Sequence, residues 1–74
     1  MKGNVEKATR NYARGALRAF IEGTITINQA VGMVRSAGVR GNRLDEIFQH
    51  LRGYGNPDRY QEAFDKCRQQ GLLD

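Results

Sequence analysis

TINQAVGMVRSAGVRGNRLDEIFQHLRGYGNP, residues 26–57, decides the fold, because helical periodicity and helix-ending residues alternate along it without conflict. Thr26 followed by Gln29 reads as a capping box, each side chain satisfying a free N–H at a helix start. The helix that follows turns Ile27, Ala30, Val31, Val34 and Ala37 inward. Gly38 stands where a left-handed C-cap is wanted, and Val39 can supply the accompanying apolar contact. Asn42 followed by Asp45 suggests a second cap, and Leu44, Ile47, Phe48 and Leu51 repeat at helical spacing. Gly53 and Gly55 place Tyr54 in a flexible turn. Asn56-Pro57 opens another helix, with Asn as N-cap and Pro at the first helical position, where its missing N–H costs nothing.

The flanks extend the pattern. Upstream, the spacing predicts a helix from Asn4 or Val5 to Glu22, with Gly23 as its stop. Val5, Ala8, Tyr12, Ala16 and Ala19 share one face, with Phe20 at its edge. Lys7, Arg10, Arg14 and Arg18 fall within roughly 80° of one another on the opposite face. Gly15 weakens the middle of this helix by up to ~1 kcal/mol relative to Ala. Downstream, Tyr60, Ala63, Phe64 and Cys67 form an inner face, Gly71 ends the helix and Leu72 can fold back. The expectation is an all-α protein: one domain, residues 1–74, forming a small orthogonal bundle of about four short helices. Its centre resembles a helix-turn-helix, and residues 1–4 read as a flexible arm.

A chain of 74 residues buries only roughly 60% of its unfolded surface, enough for one core but not for a core and an enclosed substrate cavity. No apolar stretch is long enough to span a membrane, and the N-terminus lacks the apolar segment of a secretory signal. A single cysteine, Cys67, cannot form an internal disulfide, which fits a reducing cytoplasm. The net charge is +4, and its placement is uneven. Residues 1–37 carry six basic side chains against two acidic ones, whereas residues 38–74 are balanced. Asymmetry of this kind points to an acidic or polyanionic partner.

Catalysis is poorly provided for. His50 and Cys67 are alone in their residue types and fall on different helices, whereas a Cys–His nucleophile needs both in one cleft. Cys67 reads as a small core residue and His50 as a surface residue near a helix end, where positive charge suits the dipole. Metal ligands do not cluster, Asp45 and Glu46 point apart as neighbours on a helix, and no Gly-rich phosphate loop occurs. No enzyme, cofactor, metal or small-molecule substrate is expected.

Two segments remain for binding. In the helix-turn-helix reading, Met33, Val34, Ala37, Gly38 and Val39 form the first helix and turn, and Leu44 and Ile47 the buried part of the second. That second helix would present Arg40, Asn42, Arg43, Glu46 and Gln49 to a nucleic acid, although Asp45 and Glu46 set negative charge where phosphates would lie. The other segment is the stripe Lys7, Arg10, Arg14 and Arg18, with few interleaved acids. Its cations repel one another in the free helix and are held more easily when a partner neutralises them. Phosphate or an acidic protein surface would serve. Three functions follow: a protein-binding regulator using the first helix, a sequence-specific DNA-binding repressor using the third, and a structural or assembly adaptor.

Residues 1–20, MKGNVEKATRNYARGALRAF, and 24–55, TITINQAVGMVRSAGVRGNRLDEIFQHLRGYG, followed by a short helical end, are similar to small phage-encoded transcription regulators that bind the host's bacterial RNA polymerase. The resemblance covers essentially the full length. It implies a non-enzymatic protein of the host cytoplasm that docks on polymerase, interferes with the sigma factor at initiation and promotes antitermination. It also implies that the basic N-terminal region, Lys2, Val5, Lys7, Arg10 and Arg14, makes the main contact.

Overall fold

Each junction between helices is built from local capping chemistry. The computed structural model describes the backbone of residues 2–73 and the side chains of residues 6–73. It contains four helices: α1 (Lys2–Glu22), α2 (Ile27–Ala37), α3 (Asn42–Leu51) and α4 (Pro57–Gln69). The Thr26/Gln29 capping box forms in both directions, at 3.1 and 2.9 Å. Gly38 closes α2 in the left-handed conformation. Asn56 caps α4 by accepting from the N–H groups of Asp58 and Arg59, with Pro57 leading the first turn. Beyond α4, the Leu72 N–H donates to the Cys67 carbonyl at 2.9 Å, and Leu72 and Leu73 turn into the core.

Two local expectations are corrected. Asn42 does not cap α3; it is the first residue of the helix, and Gly41 holds the cap position without a side-chain bond. The cause is tertiary. The Gly41 N–H donates to the Leu72 carbonyl at 2.7 Å, and this ties the α2–α3 turn to the chain end at φ 64 and ψ −135, a backbone state open to glycine. The helix also reaches back past Asn4 to Lys2, so residues 2–4 of the expected arm have helical backbone, and Met1 lies outside the described residues. Extending an existing helix is much easier than nucleating one. Gly15 leaves α1 unbroken.

The larger correction concerns the buried face of α1. Ala8 and Tyr12 are exposed, Tyr12 at 50%, and Ala19 is half-buried. Ala16 and Phe20 are buried as expected, but Ala13, Leu17 and Ile21 join them, so that the core takes the i, i+3, i+4, i+7, i+8 stripe of the second half of the helix. Length explains the difference. At 1.5 Å per residue α1 is about 30 Å long, whereas its partners have 10–13 residues and can cover only part of it. The apolar pattern of the whole helix combines a covered half with an uncovered one. The basic stripe therefore lies about 90° from the buried face, beside the core and next to α3.

The rest of the core follows the pattern: Ala30, Val31 and Val34 from α2, Val39 from the turn, Leu44, Ile47, Phe48 and Leu51 from α3, and Ala63 and Cys67 from α4. Phe48 meets Tyr60 and Phe64 edge-on at 5.6 and 5.3 Å, geometry that places positive ring edges on negative faces. The Tyr60 hydroxyl donates to the Phe48 carbonyl at 2.7 Å. The helix-turn-helix-like segment is held chiefly by α1, which packs on both of its helices, while α2 and α3 make little direct contact. No strand occurs among the described residues.

Candidate binding groove

Where the basic stripe of α1 passes α3, the two helices enclose a groove of about 250 Å³. Lys7, Arg10 and Arg14 line one wall, with Asn11 beside them; Arg43, Glu46 and His50 line the other, with Ile47 between. Both rows recur at i, i+3, i+7, the spacing that keeps side chains on one helical face. Ile47 is 4% exposed and seals the apolar floor; the charged side chains are exposed.

The cations differ in their surroundings. Arg14 donates to the Asn11 side-chain oxygen at 2.8 Å, which steers its guanidinium along the groove. Arg43 forms an ion pair with Glu6, so the second turn of α1 and the first turn of α3 are bridged beside the groove. Lys7 and Arg10 make no hydrogen bond or ion pair among the described residues. The groove thus presents four cations and an imidazole against one lining carboxylate, Glu46, with Glu6 adjoining.

Several residues expected to join this site do not. Arg18 is drawn away to the α3–α4 turn, where its guanidinium donates to the Tyr54 hydroxyl at 3.1 Å, lies 5.0 Å from that ring's centre and pairs with Glu22 at 3.5 Å. Tyr54 in turn donates to the Glu22 carboxylate. That hydrogen bond holds Glu22 below the usual carboxylate range, with Arg18 adding to the effect. The backbone of Lys2 and Val5 is helical; their side chains lie outside the described residues. On α3 and in the turn before it, the structure separates the residues expected to read nucleic acid. Arg43 turns into the groove, Arg40 donates to the Gly71 carbonyl at 3.5 Å, and Gln49 donates to Asp45 at 2.8 Å. Asn42 is exposed at the start of the helix.

In the sequence His50 reads only as a helix-end residue, and nothing there places Asn11, Ile47 or Glu6 at this site. One signal was available: Arg43, Glu46 and His50 repeat the spacing of Lys7, Arg10 and Arg14. Which two rows would meet depended on the tertiary fold.

Compared with protein-family models, curated proteins and solved structures, the chain matches none.

Other chemistry finds little support in the geometry. Cys67 is fully buried, and burial pushes its thiol up to about 11, the opposite of what a nucleophile needs. No three His, Cys, Asp or Glu side chains among the described residues are placed to hold a metal ion. No helix among them is long and apolar enough to cross a membrane. The carboxylates Asp58, Glu62 and Asp65 gather on a separate depression along α4, with Lys66 beside them.

Proposed function

We propose that this protein is a non-enzymatic regulator that captures an acidic surface of bacterial RNA polymerase in the α1/α3 groove. The observation that carries the binding part is the convergence of Lys7, Arg10, Arg14 and Arg43 from two helices onto one groove. Such a concentration of like charge stays unfavourable until a partner supplies carboxylates or phosphates. The choice of polymerase rests on the resemblance of residues 1–20 and 24–55 to phage regulators of the host enzyme. By that reading the protein works in the host cytoplasm, interferes with sigma factor at initiation and favours read-through of terminators.

Reading DNA through α3 has weaker support. Of its expected contacts, Gln49 is paired with Asp45 and Arg40 with the Gly71 carbonyl, and Arg43 faces the groove beside α1. The test is capture of purified bacterial core polymerase by the immobilised protein, compared with the Lys7→Glu/Arg10→Glu/Arg14→Glu variant. The proposal predicts capture that weakens with salt and is lost in the variant. No capture, or equal capture by both, would contradict it.

A further inference from the structure

The two walls of the groove differ in charge, and that difference narrows the partner. Along α1 the row is uniformly cationic: Lys7, Arg10 and Arg14 span about 10.5 Å of helix axis. Along α3 the row is mixed: the cation Arg43, the carboxylate Glu46 and the imidazole of His50. A phosphate backbone presents negative charge wherever it is approached. Seated here it would meet Glu46 on one side and, beside the groove, the Glu6 carboxylate that already offsets Arg43. A protein helix presents different residues on its two flanks and can satisfy both walls at once.

Resting on the reading of this groove as a partner site, we infer that its occupant is a helix of the partner protein, with carboxylates facing α1 and a lysine or arginine facing Glu46. The carboxylates recur at i, i+3 or i+4, and i+7, because a row with that repeat matches the rise between Lys7, Arg10 and Arg14. A groove of about 250 Å³ admits side chains and not a second backbone, so the partner's helix rides above it. Glu46 is the selecting residue: it repels an all-acidic partner and pairs with a mixed one.

The sign of the effect at Glu46 discriminates between partner classes. Full-length protein and its Glu46→Lys and Glu46→Gln variants are titrated against three fluorescent probes. The first is a helical peptide with glutamates at i, i+3 and i+7 and a lysine on one flank. The second has the same composition with the charges scattered around the helix. The third is a short random-sequence DNA duplex. The patterned peptide is expected to bind about tenfold more tightly than the scattered one. Glu46→Lys should weaken it about tenfold, with Glu46→Gln between. Tighter binding by Glu46→Lys, equal affinity for the two peptides, or preference for the duplex would overturn the inference. Polymerase capture is scored separately. Capture without peptide discrimination removes the helix and leaves the polymerase reading standing; discrimination without capture does the reverse.

Discussion

The Glu6 carboxylate meets the Arg43 guanidinium beside the groove and links the exposed half of α1 to α3. This half of the helix has no buried side chain among residues 6–12, so the pair is one of few ties holding its basic stripe beside α3. It also neutralises one of the groove's four cations.

Glu6→Gln separates these two roles. The pair is well exposed on both sides, so its loss should change stability by less than about 1 kcal/mol. Freeing Arg43 raises the positive potential of the groove and should speed association with an acidic partner roughly 2- to 5-fold at low salt. Stopped-flow association rates with and without added salt check both the direction and the screening.

Gly55→Ala should be among the most damaging single changes. Gly55 has φ 64, and an added Cβ would lie 2.6 Å from the Ile21 Cγ2. Left-handed strain and forced repacking together should cost about 2–4 kcal/mol, read from the denaturant midpoint. Gly53→Ala shares the positive φ but meets nothing within 4 Å, and should cost only about 1–2 kcal/mol.

Glu22 gives acid sensitivity to the anchor between α1 and the α3–α4 turn. Its folded pKa is lowered from 4.5, chiefly by the Tyr54 hydroxyl. The contribution to stability is therefore present above the ordinary carboxylate range and lost as pH falls through the folded value. Denaturant midpoints of the wild type and Glu22→Gln should differ near neutrality and converge below about pH 4.5.

Cys67 should resist thiol reagents in the native state, because it is buried and its thiol is pushed up to about 11. Labelling by a disulfide reagent should follow the rate of opening and accelerate with denaturant. Cys67→Ser places a hydroxyl among apolar side chains and should cost about 1–3 kcal/mol.

The helix count and most helix ends were legible in sequence because caps act over three or four residues. Thr26 needs only Gln29, and Asn56 only the two N–H groups that follow Pro57. Where a long-range partner intervenes, local reading fails. Gly41 displaces Asn42 from the cap because Leu72, thirty-one positions away by number, holds its N–H. The buried face of α1 is hidden from sequence for a related reason: periodicity shows which residues align, but not how much of a long helix its shorter neighbours cover. Half of the candidate groove was visible as Lys7, Arg10 and Arg14. The other half required knowing that α3 lies alongside, and Arg18 left the set only because Tyr54 and Glu22 lie within its reach.

On the reading proposed above, the α1/α3 groove captures an acidic surface of RNA polymerase. The most direct test is the dissociation constant for purified bacterial core polymerase, measured for the wild type and for Lys7→Glu/Arg10→Glu/Arg14→Glu at two salt concentrations. Salt-sensitive binding by the wild type and loss of at least about a hundredfold in affinity for the variant are expected; equal affinities, indifferent to salt, would contradict the proposal.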